Sequence, residues 1–313
     1  MKKLKIVFMG TTSFGVPALE KLVASGYEVA AAVCQPDRPN KRGKKVEILP
    51  LKAKALALGI PVLQPEKVKD PEFVEQLKAF QADIFIVAAY GQILSKEILE
   101  MPRYGALNIH GSLLPKYRGA APIQRAIIDG EQKSGVTIMQ MSEGMDTGDM
   151  ISKAECLITE TTTFDALHDA LAGSGADLLI ATLEDLIGGR IEPIPQNEEE
   201  ATYADKIQKD TGHINWNEKG SKILSLINGT DPHPGAYTFY HEEKMKCFSP
   251  QLMTWEGSEI PGTLLTANAK EGLIVKTQDG ALKIGAVQVP GKKRMESIVF
   301  LRGKAMEMGT VLK

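Results

Sequence analysis

The sequence of 313 residues predicts an α/β protein with two parts. The first is a mostly parallel, Rossmann-like sheet with helices on both faces. It is predicted because short apolar runs alternate with amphipathic helical patterns over about the first two hundred residues. The run at residues 83–88 is apolar from Ile84 onward, as in a strand that is covered on both faces. The second part is a small C-terminal β-barrel, because short β-like segments separated by turn signals follow one another beyond about residue 206.

The individual elements follow from apolar periodicity and from the glycines and prolines that bound it. Strands are predicted at residues 4–9, 29–34, 83–88, 106–109 and 136–141, and helices at residues 16–23 and 50–58. A long helical region covers residues 163–187, and Gly173 and Gly175 predict an interruption within it. Residues 190–205 are rich in turn-formers and acidic residues, which predicts a linker between one domain at residues 1–189 and another at residues 206–313. The second domain has predicted strands at residues 235–240, 262–265, 272–277 and 281–289.

Composition places the chain among folded globular proteins. Apolar residues make up 43% and charged residues 24%, which excludes a disordered, collagen-like or coiled-coil chain. No apolar run is long enough for a membrane-spanning helix, and the basic start lacks the apolar run of a signal peptide. The cysteines, Cys34, Cys156 and Cys247, have neither CxxC nor metal-site spacing. We therefore expect a cytoplasmic, monomeric protein without a bound metal and without membrane contact.

The first predicted strand ends in a glycine loop at residues 10–15. A dinucleotide fingerprint would need glycine at position 12, where Thr12 stands, and a phosphate-binding GxxxxGK loop would need lysine where Val16 follows Gly15. NAD and ATP chemistry therefore lose support. The loop is interpreted as a tight turn between strand and helix, with the alternative that it borders a substrate cleft.

Three polar residues next to predicted strand ends are the candidates for chemistry. Strand alternation places Asn108 and His110 on one face of a strand, and Asp146 follows the next strand along the chain. An amide donor, an imidazole and a carboxylate can supply an oxyanion donor, a proton carrier and an orienting group. Ser112 lacks the GxSxG setting of an activated nucleophile, which favours direct attack by the substrate's own nucleophile. The spacing alone is equally compatible with structural roles at strand ends.

Longer motifs surround these residues. Residues 108–115 read Asn-Ile-His-Gly-Ser-Leu-Leu-Pro, residues 117–123 read Tyr-Arg-Gly-Ala-Ala-Pro-Ile, and residues 145–148 read Met-Asp-Thr-Gly. Together they resemble the signature of the 10-formyltetrahydrofolate-dependent formyltransferases, and the match runs essentially end to end. Within that family the length, a basic loop and the tail domain most resemble the members whose acceptor is methionine esterified to initiator tRNA.

The resemblance implies transfer of a formyl group from N10 of the folate, a co-substrate released as tetrahydrofolate, to the α-amino group of methionine on initiator methionyl-tRNA. It makes Asn108, His110 and Asp146 the catalytic group. The residues that it places around the folate, largely through backbone groups, are Ser112, Leu113, Leu114, Pro115, Ala89, Tyr90 and Gly91.

Basic residues are concentrated in two places. Five of the eight residues at 38–45 are basic, and the tail from Lys206 onward has fifteen basic against eleven acidic residues. In the resemblance, the first cluster is the loop that enters the tRNA acceptor stem, with Arg42 at the position of the functional arginine, and the tail is an OB-like tRNA-binding domain. The tRNA-binding residues expected on this basis are Arg38, Lys41, Arg42, Lys44, Lys45, Lys292, Lys293 and Arg294.

Other functions remain as alternatives. A sugar-nucleotide N-formyltransferase would share the catalytic residues and a similar tail barrel, but it does not require the basic cluster at residues 38–45. A non-catalytic RNA-binding protein would not require Asn108, His110 and Asp146. A glycinamide ribonucleotide transformylase would lack the tail, and a folate dehydrogenase would need a longer chain with a nucleotide domain.

Overall fold

The computed structural model describes residues 3–38 and 47–313. Its helices are α1 (Val16–Ala24), α2 (Pro50–Ala57), α3 (Pro71–Ala79), α4 (Lys96–Leu99), α5 (Pro122–Ile128), α6 (Phe164–Ile187), α7 (Gly220–Thr230) and α8 (Ser297–Gly303). Its strands are β1 (Lys5–Gly10), β2 (Glu28–Val33), β3 (Val62–Leu63), β4 (Ile84–Ala88), β5 (Ala106–His110), β6 (Arg118–Gly119), β7 (Lys133–Gln140), β8 (Met150–Leu157), β9 (Tyr203–Ala204), β10 (Tyr237–Tyr240), β11 (Glu243–Met253), β12 (Leu264–Asn268), β13 (Gly272–Lys276), β14 (Ala281–Gln288) and β15 (Met295–Glu296). No helix in these residues is long and apolar enough to cross a membrane.

The described chain divides into two compact units. The first contains residues up to Gly119, with Gly135–Cys156 and His168–Tyr203, and the second contains Ala204–Lys313 with Ala120–Ser134 and Leu157–Leu167. Two internal segments of the N-terminal half therefore belong to the second unit. The domain limits expected at residues 189 and 206 stay a prediction.

A seven-stranded sheet forms the first unit, in the order β3-β2-β1-β4-β5-β7-β8. The pairs from β3 to β5 are parallel, whereas β7 runs antiparallel to β5. This confirms the predicted α/β class with a mostly parallel sheet. The strand order reverses between β1 and β4, and ligands of open α/β sheets bind beside the carboxyl ends of the strands at such a point.

Helices cover both faces of this sheet. Val7 and Phe85 lie on one face, where they share a buried apolar cluster with Phe73 and Leu77 of α3. On the other face the ring of Phe8 lies beside Leu51 of α2. The sheet is therefore apolar on both sides, which explains the unbroken apolar runs of β1 and β4.

The glycines in α6 do not interrupt it, so the predicted break at residues 173–175 is wrong. The helix is continuous over Phe164–Ile187. A Cβ at Gly175 would lie 2.8 Å from Ile109 Cγ2 and 3.2 Å from Val136 Cγ2. Glycine stands there because the helix packs closely on β5 and β7, and its weak helix propensity is offset by that packing.

The glycine loop after β1 is a tight connection between strand and helix. Residues Ser13–Gly15 form one turn of 3-10 helix, and the Thr12 side chain caps it by accepting a hydrogen bond from Phe14 N. A Cβ at Gly10 would lie 2.8 Å from the main-chain oxygen of Ala88. The close approach of β1 and β4 therefore accounts for Gly10 without a bound nucleotide.

The second unit is built on an antiparallel sheet in the order β10-β11-β14-β13-β12, with β15 paired to β14, curled into a half-barrel. The last residues of the chain pair with both edges of this sheet. Lys313 exchanges two backbone hydrogen bonds with Phe239 of β10, and Leu264 N of β12 donates to Thr310 O. Apolar side chains from the strands, α7 and α8 fill the interior, as expected for the small predicted barrel.

Candidate active site

Asn108, His110 and Asp146 converge on one carboxylate oxygen. Asn108 Nδ2 lies 3.5 Å and His110 Nδ1 3.7 Å from Oδ1 of Asp146. The two β5 residues share the face that carries Ala106, and His110 is almost fully buried. The structure thus brings together the three polar side chains that the sequence singled out.

Asp146 reaches this position through a loop that folds back on the sheet. Because β7 is antiparallel to β5, its last residue, Gln140, lies opposite Leu107 near the start of β5. Gln140 N donates to Asp149 O at 2.8 Å, and a Cβ at Gly148 would lie 1.7 Å from Gln140 O. The tight fold of residues 141–149 therefore requires glycine at position 148 and carries Asp146 back towards β5.

The tautomer of His110 is fixed by a main-chain oxygen. His110 Nε2 lies 3.0 Å from Tyr117 O. A carbonyl oxygen can only accept, so Nε2 carries a proton and donates it. In the neutral ring Nδ1, which faces Asp146, is consequently the nitrogen without a proton.

The carboxylate of Asp146 is anchored by the residue after Arg118. Gly119 N donates to Oδ2 at 2.8 Å, which leaves Oδ1 for the two β5 side chains. Asp146 itself has φ of 53°, in the left-handed region that non-glycine residues rarely adopt. Such a conformation persists only where surrounding contacts hold it.

The segment after His110 is hydrogen-bonded to β7. Thr137 Oγ1 donates to Ser112 O at 2.7 Å and accepts from Leu114 N at 3.2 Å, while Ser112 Oγ donates to Lys116 O. The side chains of Ser112, Leu114 and Pro115 are buried, and Leu113 is half-buried against Gly135. Their other main-chain oxygens also have partners within the fold, since Leu113 O accepts from Lys116 N, Leu114 O from Lys153 Nζ and Pro115 O from Thr202 N.

The other predicted folate residues follow β4, at the point where the strand order reverses. Ala89 has φ of 48° and Gly91 φ of 87°, and both are exposed. Between them Tyr90 is buried, and its main-chain oxygen accepts from Thr11 Oγ1 at 2.9 Å and Gln35 Nε2 at 3.2 Å. Burial raises the pKa of the Tyr90 phenol.

The predicted RNA contacts are only partly described. Arg38 is exposed, whereas Lys41, Arg42, Lys44 and Lys45 lie outside the described residues. Immediately before Arg38, Asp37 is paired with Lys52 and accepts from Gln64 Nε2, and the hydrogen bond from Lys52 holds the pKa of its carboxyl below the usual range.

In the tail, Lys292, Lys293 and Arg294 are all exposed, and the Arg294 side chain is also bonded within the fold. Its Nη1 donates to both carboxylate oxygens of the buried Asp231, at 2.8 and 3.0 Å, and its guanidinium stacks on Phe248 at 4.1 Å. Arg294 thus differs from its two neighbours in its surroundings.

A second cationic group in the tail was not foreseen from the sequence. On β10, the ring of Tyr237 stacks on His213 at 5.1 Å and carries the Lys244 ammonium 3.2 Å above its centroid. Lys246 is the cross-strand neighbour of Tyr237. Desolvation, and then the charges of Lys246 and Lys209, lower the pKa of Lys244. We call Lys209, His213, Tyr237, Phe239, Lys244 and Lys246 the aromatic–lysine cluster. The alternation of outward and buried residues along β10 was the signal that could have indicated it.

The sequence also missed residues that lie around Asn108, His110 and Asp146. Gln196 and Glu198 lie in the segment predicted to be a linker, and they contact the Asp146 loop and Arg118 respectively. Their distance in sequence from residues 108–148 left no local signal. No group of three or more His, Cys, Asp or Glu side chains in the described chain is arranged to hold a metal ion.

Comparison with known proteins places this chain in a class of enzymes. The family model "Formyl transferase" matches residues 4–183, and "Formyl transferase, C-terminal domain" matches residues 206–305. The protein is therefore a group transferase of the α/β class. It belongs to the formyl transferase family.

One full-length relative and two solved structures illustrate the likeness. A protein named methionyl-tRNA formyltransferase from Caldanaerobacter subterraneus subsp. tengcongensis is 47% identical over 311 residues, which are 99% of this chain and 100% of the relative. HypX from Aquifex aeolicus, solved in complex with tetrahydrofolic acid, has a TM-score of 0.65 and 18% identity; the match covers 96% of this chain and 47% of that longer one. WlaRD, a sugar 3N-formyl transferase solved with dTDP and 5-N-formyl-THF, has a TM-score of 0.66 and 18% identity over 94% of this chain and all of the other. At these identities the two structures establish a shared fold.

Proposed function

We propose that the protein transfers the formyl group of 10-formyltetrahydrofolate to the α-amino group of methionine on initiator methionyl-tRNA, which gives N-formylmethionyl-tRNA for translation initiation. The observation that carries the proposal is the convergence of Asn108, His110 and Asp146 on one carboxylate oxygen in a chain of the formyl transferase family. The relative named for this reaction is 47% identical over its whole length, whereas the sugar formyl transferase is 18% identical.

Two hydrogen-bond donors are suited to stabilise the negative charge that develops during transfer. When the amine attacks the formyl carbon, the formyl oxygen becomes an oxyanion. The amide of Asn108 carries two hydrogens, of which the contact with Asp146 uses one, and protonated His110 carries a second donor at Nδ1. In a site shielded from water, such donors stabilise the transition state more than the ground state.

The reaction neither consumes nor releases a proton overall, but it needs a group that carries one from the amine to the folate. The α-amino group loses one proton when the new C–N bond forms, and N10 of the folate takes one up when the old C–N bond breaks. His110 Nδ1 and Asp146 Oδ1 form the pair through which that proton passes. Because Nε2 donates to Tyr117 O, the imidazole is held in one orientation during the exchange.

The folate is proposed to bind beside the reversal of strand order, between residues 89–91 and residues 112–115. Ala89 and Gly91 leave their backbone exposed at the carboxyl end of β4. At residues 112–115 the proposed recognition is largely through backbone groups, since a main-chain oxygen that already accepts one hydrogen bond can accept a second.

The RNA is proposed to contact the basic residues at 38–45, Lys292 and Lys293, and the aromatic–lysine cluster. Ring faces next to ammonium groups suit a nucleic acid, because bases stack on aromatic side chains while cations neutralise phosphates. We further propose that the protein acts in the cytoplasm and as a monomer.

The test is formyl transfer from 10-formyltetrahydrofolate to charged initiator methionyl-tRNA, with a 4-amino-sugar nucleotide as a parallel acceptor. Transfer to the tRNA alone is the expected result. Transfer to the sugar nucleotide alone would retain the chemistry of Asn108, His110 and Asp146 and reject the proposed acceptor. Absence of transfer to both acceptors would reject the enzymatic proposal and favour an RNA-binding protein.

A further inference from the structure

One side-chain amide from a distant segment of the chain contacts the Asp146 loop at two points. Gln196 Nε2 lies 2.7 Å from Asp146 O and 2.7 Å from Gly148 O. Both acceptors are main-chain carbonyls, one on each side of Thr147. The two hydrogens of one side-chain amide therefore clamp the loop immediately around the catalytic carboxylate.

Chemistry fixes the orientation of this amide. Gln196 Oε1 accepts from Arg118 Nε at 2.9 Å, and a guanidinium can only donate. The opposite end of the amide faces two carbonyl oxygens, which can only accept. A flipped amide would place a donor against Arg118 Nε and an acceptor against both carbonyl oxygens, so only one orientation of the amide satisfies all three contacts.

Arg118 is in turn held by a carboxylate. Its side chain is fully buried, and its Nη1 and Nη2 donate to the two oxygens of Glu198 at 2.9 and 2.8 Å. The bidentate pair raises the pKa of Arg118 and leaves its Nε directed at Gln196. The residue after Arg118 is Gly119, whose N–H anchors Asp146 Oδ2.

Asp146 is thus held by two sets of contacts, and Arg118 is part of both. One runs through the main chain to Gly119 N and the carboxylate, and the other runs through Gln196 to the Asp146 carbonyl. The loop needs such support because Asp146 has φ of 53°, which costs energy in a non-glycine residue.

We infer that Gln196 is a positioning residue for the transfer reaction, which acts by holding the Asp146 backbone in the conformation that presents Oδ1 to Asn108 and His110. The inference rests on the proposed function for its effect on activity. Its structural part, the link between Gln196 and the loop at residues 141–149, is independent of the substrate.

The test compares Gln196→Ala with Gln92→Ala. Gln92 is a matched control, since its Nε2 also donates to two main-chain carbonyls, Pro65 O and Glu66 O, and its Oε1 accepts from Val68 N. Hydrogen exchange is followed by mass spectrometry, and kcat and KM for the folate are measured with methionyl-tRNA as acceptor.

In Gln196→Ala, exchange in residues 141–149 should become about tenfold faster or more, and kcat should fall by about 10- to 100-fold while KM for the folate stays within about twofold. In Gln92→Ala, faster exchange should be confined to residues 65–68.

Unchanged exchange at residues 141–149 in Gln196→Ala, or a uniform increase over the whole first unit, would overturn the link. Local loosening with an unchanged kcat would overturn the positioning role. Wild-type protein that formylates no tRNA would reject the proposed function, and the exchange result would still decide the link.

Discussion

His110 directs Nε2 at the main-chain oxygen of Tyr117, 3.0 Å away, and thereby has only Nδ1 for proton exchange. Asp146 faces that nitrogen at 3.7 Å. A neutral Nδ1 and a carboxylate oxygen would both be acceptors, whereas a protonated Nδ1 forms an ion pair. The carbonyl of Tyr117 thus selects the tautomer of the neutral imidazole, and Asp146 faces the nitrogen that this tautomer leaves unprotonated.

This relationship predicts the tautomer of neutral His110. In protein labelled with ¹⁵N-histidine, the Nε2 signal of the neutral ring should have the shift of a protonated nitrogen and the Nδ1 signal that of an unprotonated one. The physical reason is that a main-chain carbonyl accepts at every pH. A spectrum in which Nε2 loses its proton would contradict the assignment.

The ion pair between Arg118 and Glu198 predicts a pH-dependent contribution to stability. The hydrogen bonds from Arg118 lower the pKa of the Glu198 carboxyl. A lowered carboxyl pKa stabilises the folded protein above the unfolded value of about 4.3, and the stabilisation is lost as the pH falls through the folded value. Glu198→Gln should therefore lower Tm at pH 7, and the difference from wild type should vanish in strongly acidic buffer.

The measurement is a series of thermal melts from neutral to acidic pH. Glu199→Gln is the control, because Glu199 is an exposed neighbour without the contact to Arg118 among the described hydrogen bonds. A Tm difference for Glu198→Gln that persists undiminished at low pH would show that the ion pair is not its cause.

The three basic residues at 292–294 should separate into two kinds. Arg294→Gln removes the partner of the buried Asp231, so it should cost about 1–3 kcal/mol of unfolding free energy. A double substitution of the exposed residues, Lys292→Ala with Lys293→Ala, should leave Tm unchanged and weaken RNA binding. The slope of log K against log salt for methionyl-tRNA should become shallower by about one to two units.

Denaturant unfolding and a salt titration of tRNA binding check both halves of this prediction. An Arg294→Gln protein with wild-type stability would contradict its structural role. A double lysine variant with an unchanged salt slope would remove these residues from the RNA interface.

The aromatic–lysine cluster predicts a contribution from stacking. Tyr237→Ala should weaken binding of methionyl-tRNA by about 1–3 kcal/mol, because it removes the ring on which His213 stacks and over which the Lys244 ammonium lies. Tyr104 is the matched control, because it also lies beneath a cation, with the Arg103 guanidinium 4.9 Å from its centroid. Filter binding or fluorescence anisotropy gives both affinities, and equal effects of Tyr237→Ala and Tyr104→Ala would argue against a stacking site.

The sheet and the shared face of Asn108 and His110 could be predicted because their signals are local. Apolar runs identified β1, β4 and β5 nearly to the residue, and the alternation of a strand was enough to put Asn108 and His110 on one face. Long-range packing was not visible in this way. Gly175 looked like a helix breaker because the sequence does not show that Ile109 lies 2.8 Å from where its Cβ would be.

The surroundings of Asp146 were hidden for a related reason. Gln196 follows Asp146 by fifty residues and sits in a turn-rich segment that resembles a linker. Nothing in its neighbours indicates a buried guanidinium or a strained loop. Arg118 lies inside a recognisable motif, but its burial and its pair with Glu198 depend on tertiary contacts.

The most direct test of the account is a single-turnover measurement of formyl transfer with His110→Ala and Asn108→Ala, combined with the Kd of each for methionyl-tRNA. Each variant removes a donor to the oxyanion and should slow transfer by about 100- to 1000-fold while Kd stays within about twofold of wild type. Arg42→Ala should show the opposite pattern, with weaker binding and a flatter salt dependence. An equal loss of binding in all three variants, or wild-type transfer rates in His110→Ala and Asn108→Ala, would contradict the division between chemistry and RNA binding.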